Sequence, residues 1–473
     1  KEGKGGLRDV HTLGWLARVA YPISSRKDLV KMGHLTQAEY DACAQAHRFL
    51  CNVRIHLHYL AGAGEDRLSF DYQPHVAAAM GFRHREPHRA ILRFMRRYFA
   101  AVRTVGAATR IFCALLEEEK KRSPQPALAW MWYNPWTLSG FKLDGARLSI
   151  SYPGQFAKNP VQMLEIFRVA QLQGLDIHPR ALQQIARNLH RIDRKFWHDA
   201  RAAGIFLDIL LSPRASEQTL RRMSEAGVLG AFIPEFGRVV GMTQFNRYHI
   251  YTVDEHTLVA LGILHAFESG AIKDETPLAS QLIHRIRMKR VLYLALFCHD
   301  IAKAGGKDHS QAGEEIARKL ARRFGFSPGE IETAGWLVRQ HLLFSMTAFK
   351  RDVNDPKTIA DFVAEVKTPE RLKLLLVLTV ADMRAVAPGV WNHWKAALLR
   401  DLFARAETAM GVAPSRPQAA PAPLGGLLAG LLPGMKPERI EHYLAQGEGA
   451  MWEMWGTARS ARILRLLAAA EKG

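Results

Sequence analysis

Cysteine is scarce in this chain. Cys43, Cys51, Cys113 and Cys298 are the four among 473 residues, and no two stand in a CxxC spacing. That excludes a disulfide framework and a zinc ribbon, and it fits thiols kept reduced in the cytoplasm. Long apolar runs are missing too. A membrane span needs roughly 18 to 20 such residues, and the nearest stretch, residues 372–381, is interrupted by Lys373; no membrane partner is expected. The opening KEGKGGLRD has no signal-peptide character and no initiator Met, so a processed or partial chain is expected. Its glycines sit among cations without spelling a P-loop, and a turn feeding a helix is the reading adopted. Strand signals are few, the clear one being Asp144-Gly145 between short alternating runs, which predicts a hairpin within residues 142–152. Acidic residues are outnumbered, 45 against 65 Lys and Arg, giving a formal charge of +20 at pH 7. An acidic partner follows: a phosphate, a nucleotide or an acidic protein. No helix-turn-helix, RNP or finger motif accompanies the charge, so nucleic acid is not expected. The pairs Arg96-Arg97, Arg221-Arg222 and Arg322-Arg323 read as solvated helix faces.

What the sequence does have is helical period over most of its length, which predicts an all-α, multi-helical fold with one short β-hairpin. Residues 1–122 form a helical domain, with helices over 11–20, 36–60 (Thr36 as N-cap) and 87–121. Residues 123–245 form a connector with the hairpin and short helices. Residues 246–410 hold all the candidate metal ligands, and residues 411–473 combine a linker rich in Pro, Ala and Gly with a helical end in which Trp452 and Trp455 share a face.

Residues 291–310, VLYLALFCHDIAKAGGKDHS, show an apolar helix ending directly in metal-binding side chains, His299 and Asp300. Neighbouring helical residues point about 100° apart, so both reach one ion only in a groove beside the helix, and further ligands must come from elsewhere. Those ligands are His256, His309, His341 and Asp382, each near a predicted helix end. Nitrogen and carboxylate donors without thiolate suit Mn²⁺, Mg²⁺, Fe²⁺, Co²⁺ or Zn²⁺ and do not choose among them. A water made nucleophilic near neutral pH, with a second or third ion to neutralise phosphoryl oxygens, favours phosphate-ester hydrolysis. Lys303, a turn beyond the pair, supplies a cation for the phosphate.

The order His256, His299-Asp300, Asp382 resembles the HD superfamily of metal-dependent phosphohydrolases, with His309 and His341 where such sites hold additional metal. The wording YTVDEHTL, FCHDIAKAGGKDHSQAGEE, WLVRQHLLFS, RDVNDPKTI and LTVADMRAVAPGVWNHWKAALLRDLF resembles the uridylyl-removing domain of the bifunctional uridylyltransferases that modify the PII nitrogen-signalling protein. KEGKGGLRDVHTLGWLARVAY is similar to the segment that follows the nucleotidyltransferase core of that family. The resemblance implies an HD-type domain over 246–410 that hydrolyses the UMP-tyrosine phosphodiester of uridylylated PII and releases UMP. It implies two or three ions, Mn²⁺ or Mg²⁺ foremost, with Asp300 bridging, His256, His299 and Asp382 completing one ion, and His309 and His341 holding another. Lys303, Arg384 and Lys395 are the expected substrate-binding cations, and Asp254, Glu255 and Glu314 are candidates for supporting or base roles. Gln340 and Ala304 depart from the family's usual His and Gly beside the ligands. The Gly-Ser and paired aspartates of the transferase core are not found, nor are glutamine-sensing ACT domains, so addition of UMP and glutamine sensing are expected only of a longer parent. Two other readings stay open: an HD phosphodiesterase or nucleotidase acting on free nucleotides, and a non-catalytic basic scaffold. The arginine-rich helix over 87–121 is the expected surface for docking PII.

Overall fold

The computed structural model describes residues 3–120, 138–144, 146–243, 251–305, 308–387, 389–412, 428, 432, 435–446 and 460–467. Helices dominate throughout. The first unit packs α1 (Leu7–Ala20) and α2 (Gln37–Ala61) against the long α3 (Pro87–Lys120). Its apolar residues meet in a core that includes Leu50, Val53, Leu57, Phe94 and Met95, and in a smaller cluster around Ala17, Leu29 and Phe112. Thr36 caps α2 as expected and forms a reciprocal capping box with Glu39, satisfying two backbone donors at the helix start. α1 begins at Leu7 rather than His11, because Gly5 and Gly6 form the turn themselves. Gly5 has φ +77°, and a Cβ there would lie 2.0 Å from the Val102 carbonyl oxygen of α3, so only glycine fits where the chain start meets the long helix.

The expected hairpin is present as β1 (Phe141–Asp144) and β2 (Arg147–Ile150), paired from Phe141↔Ile150 to Asp144↔Arg147. A two-residue β3 (Asp176–Ile177) joins β2 in parallel, a strand too short to leave a periodic signal. The next helices are α4 (Gln162–Gln173), α5 (Pro179–Asn188), α6 (Ala200–Leu211) and α7 (Ser216–Glu225). Then come α8 (Val253–Glu268), α9 (Lys289–Cys298), α10 (His309–Arg323), α11 (Pro328–Arg339), α12 (Pro369–Val386) and α13 (His393–Ala409). One apolar core runs without a break from Leu138 to Ala406, so the connector and the ligand-bearing helices share their interior. α9 lies at its centre, with every residue from Val291 to Cys298 buried.

The C-terminal helix α14 (Pro437–Gln446) belongs to a small separate cluster around Ile440, Tyr443 and Leu464. Trp452 and Trp455 lie outside the described residues. Several arginines taken for solvated faces have specific partners: Arg221 pairs with Glu217 and Glu255, Arg222 with Asp176, and Arg323 lies 4.1 Å over the Phe232 ring. Arg97 lies 5.3 Å over the ring of Phe49. No helix among the described residues is long and apolar enough to cross a membrane.

Candidate metal centre

The buried α9 delivers His299 at its C-cap and Asp300 one residue later, both almost wholly removed from solvent. Four other elements converge on them. His256 stands in the first turn of α8, Asp382 in the last third of α12, His309 opens α10, and His341 follows the end of α11. His256 Nε2 is 3.2 Å from His299 Nε2, 2.9 Å from Asp382 Oδ1 and 3.9 Å from Asp300 Oδ2. His299 Nε2 is 3.4 Å from Asp300 Oδ2 and 3.6 Å from Asp382 Oδ1. The imidazole rings continue as a chain, with centroids 5.6 Å apart for His299 and His341 and 5.9 Å apart for His341 and His309. Two sets of three donors result, His256/His299/Asp300 and Asp300/His309/His341, each with its ligand atoms within 4.8 Å of one another.

Two observations show that these residues fit divalent ions. The first is the tautomer. Nδ1 of His299 lies 2.6 Å from the Leu296 carbonyl, that of His341 2.7 Å from the Val338 carbonyl, and that of His256 3.2 Å from the Ala385 carbonyl. A carbonyl only accepts, so each Nδ1 donates its proton and Nε2 is the nitrogen left to face the cluster, the arrangement that orients histidine for metal. The second is the 3.2 Å gap between two imidazole nitrogens. It matches neighbouring ligands on one ion at metal-to-nitrogen lengths of about 2.1 Å.

Charge reinforces the arrangement. Burial alone would raise the Asp300 carboxyl, but His299 and Lys303 beside it hold it well below the usual carboxylate range. Burial works the same way on Asp382, and His299 and His256 hold that carboxyl far down as well. Burial pulls the His299 imidazole down, while Asp300 and Asp382 outweigh it and push it up to about 10. His341 is lowered by burial and by His299, and His309 by burial and by Lys303. A divalent ion must therefore displace a proton from His299, whereas His309 and His341 are already neutral at pH 7. Mn²⁺ binding is expected to release protons and to tighten as the pH rises from 6 to 9, which titration calorimetry in buffers of different ionisation enthalpy measures.

Lys303 joins the cluster: its Nζ lies 2.5 Å from Asp300 Oδ2 and its side chain is partly exposed. Arg384 and Lys395 do not join it. Arg384, two residues from Asp382 and so on another face of α12, pairs with Glu275 at 2.7 Å, and Lys395 donates to the Val390 carbonyl at 2.7 Å. The candidates for base roles are also engaged elsewhere. Asp254 accepts from the Gly241 amide at 2.9 Å, Glu255 is held by Arg221, and Glu314 bridges Arg318 and Arg339 at 2.7 and 3.0 Å. Gln340 donates to Glu365 at 2.8 Å, a bond that fixes the chain just before His341. The buried Cys298 thiol, beside His299, is pushed far up by burial, so it stays protonated and is no ligand.

Sequence reasoning did not find the three carbonyls that set the tautomers. The only signal was spacing, since Leu296 and Val338 stand three residues before their histidines. It also missed the tie of Glu255 to Arg221. Thr252 and Glu255 have capping-box spacing, but Thr252 makes no side-chain cap and Glu255 is spent on α7 instead.

Comparison with known proteins gives three matching family models. GlnD PII-uridylyltransferase covers residues 1–113, the uridylyltransferase GlnD third domain covers residues 141–232, and the HD domain covers residues 250–385. The chain is similar to a bifunctional uridylyltransferase/uridylyl-removing enzyme of Rhodospirillum rubrum, 48% identical over 403 residues, which is 85% of this chain and 43% of that protein. The enzyme of the same description from Azospirillum brasilense is 46% identical over 480 residues, 98% of this chain and 51% of the relative. That from Novosphingobium aromaticivorans is 46% identical over 407 residues, 86% and 45% respectively. The chain spans about half the length of the curated relatives it matches.

Proposed function

The chain belongs to the family of bifunctional uridylyltransferase/uridylyl-removing enzymes and carries an HD domain, and from that footing we propose that it catalyses the removal reaction. The reaction is metal-dependent hydrolysis of the phosphodiester joining UMP to a tyrosine of PII. The observation that carries this reading is the Asp300 carboxylate, shared between two donor sets whose ligand atoms are already gathered.

Bound divalent ions supply an activated water and positive charge against the non-bridging phosphoryl oxygens. The remaining work falls to the chain's own residues. His256, His299 and Asp382 would hold one ion and His309 and His341 another, with Asp300 available to both. The backbone carbonyls of Leu296, Val338 and Ala385 hold the imidazoles in their ligating tautomer, so no ring has to reorient when substrate arrives. Lys303, partly exposed and bonded to Asp300, is the cation proposed to meet the phosphate. The leaving group is a phenolate whose parent pKa is about 10, so it needs little protonation to depart. That agrees with a cluster whose carboxylates are held charged and whose His309 and His341 are neutral, leaving no dedicated acid among them.

The test sets uridylylated PII beside UMP, UDP-sugars, cyclic nucleotides and a chromogenic phosphodiester, all with Mn²⁺. Release of UMP from the protein at a kcat/KM at least about 100-fold above any free substrate is expected, since the docked protein supplies binding energy that small esters lack. Equal or faster turnover of a free nucleotide would assign the site to a nucleotidase instead.

A further inference from the structure

A second concave site lies in the first helical unit, far in sequence from the HD residues. It is a cavity of about 400 Å³ between α1, the 24–27 loop, α2 and α3. That volume is in the range of small-molecule sites, roughly 300 to 1,000 Å³. Its floor is apolar, with Val10 and Leu13 from α1, Leu35, and Val105 and Ala108 from α3. Three arginines line it, Arg18, Arg26 and Arg48, and no carboxylate is found among the described residues that line it. These three have no hydrogen-bond or ion-pair partner among the described residues. All three are exposed, so a ligand reaches them from solvent.

The place of Arg26 is built. Its side chain crosses α1 at Gly14, where a Cβ would meet the Arg26 Cδ at 3.6 Å and Nε at 3.7 Å. It acts electrostatically on Cys43 and His47, both of which line the same cavity. Burial lowers the His47 imidazole, and Arg26 and His11 lower it further, so the ring is neutral at pH 7 and presents a flat, uncharged surface. Tyr40 also lines the cavity and carries a second ring. Unpaired guanidinium groups recognise phosphate through bidentate, charge-assisted hydrogen bonds. An apolar floor with two flat rings takes a planar body.

We propose that this cavity binds a nucleoside polyphosphate, its phosphates on Arg18, Arg26 and Arg48 and its base between the apolar floor and the rings of Tyr40 and His47. The site shares no residue with the His256/Asp300 cluster and stands whether or not the removal reaction is as proposed.

Titration calorimetry of the full chain, in EDTA to silence the metal centre and at low salt, tests it with ATP, UTP, adenosine and inorganic tripolyphosphate. One nucleoside triphosphate is expected to bind per chain, tripolyphosphate more weakly, and adenosine not at all. The double variant Arg26→Gln, Arg48→Gln, altered only at exposed positions, is expected to lose at least about 10-fold in affinity, while its urea midpoint and Mn²⁺ binding stay those of the parent. Absence of binding by both triphosphates, or unchanged affinity in the variant, would overturn the proposal. Tripolyphosphate binding as tightly as the nucleotides would overturn the assignment of a nucleoside.

Discussion

Asp300→Ala is expected to abolish Mn²⁺ binding at the cluster and to cut UMP release by about 100- to 1,000-fold or more, the scale of loss when one electrostatic partner of a reacting centre is removed. The reason is topological. Asp300 is the one side chain common to both donor sets, so its loss strips a ligand from each at once. Asp300→Asn, which keeps size and can still accept from Lys303, is expected to fail almost as badly, because the lost property is negative charge. Asp382→Ala is the informative contrast. Asp382 lies 2.9 Å from His256 and 3.6 Å from His299, so its removal is expected to weaken one ion while Asp300, His309 and His341 keep the other. Calorimetric stoichiometry distinguishes the two: none for Asp300→Ala, a reduced count for Asp382→Ala. The fold should survive Asp300→Ala, since Lys303 is partly exposed and its freed ammonium can turn to water.

The second large effect is on stability. Phe297→Ala is expected to destabilise the protein by about 3 to 5 kcal/mol, the cost of deleting a buried aromatic ring together with the cavity it leaves. Phe297 is fully buried in α9, stacked on Phe236 at 5.1 Å and edge-on to Phe206 at 5.7 Å. These contacts tie the helix that presents His299 and Asp300 to the connector helices. Phe297→Leu, which nearly conserves volume, is expected to cost less than about 1.5 kcal/mol. Urea denaturation followed by far-ultraviolet circular dichroism measures both. A Phe297→Ala midpoint equal to that of the parent would show that α9 is not the packing centre described here.

The helices were legible wherever period, cap and breaker agreed. Thr36, Pro87, and Asp144-Gly145 each marked an element that the structure contains. The gathering of the His and Asp side chains was legible because such groups at the end of a buried helix are unusual: His299-Asp300 closing a wholly apolar helix is a local contradiction of burial that only paired charge resolves. β3 was not legible, since two residues have no period. Nor was the shared core. Residues 123–245 read as a connector because their helices are short, yet Phe206 and Phe232 pack on the same aromatic group as Phe297 and Phe324. Arg384 and Lys395 stand near Asp382 in sequence, and that nearness says nothing about which face of a helix a side chain occupies. The partners that claim them, Glu275 and the Val390 carbonyl, come from loops whose course no local pattern encodes.

We propose the His/Asp cluster as a metal centre that removes UMP from a protein tyrosine. The most direct measurement follows UMP release from uridylylated PII by the full chain after metal is stripped with EDTA, after Mn²⁺ is restored, and in Asp300→Asn under the same conditions. No release is expected without metal, full recovery on adding Mn²⁺, and from the variant a rate at least about 100-fold below the parent's at every Mn²⁺ concentration. Release that persists in EDTA, or that Asp300→Asn supports as well as the parent does, would contradict it.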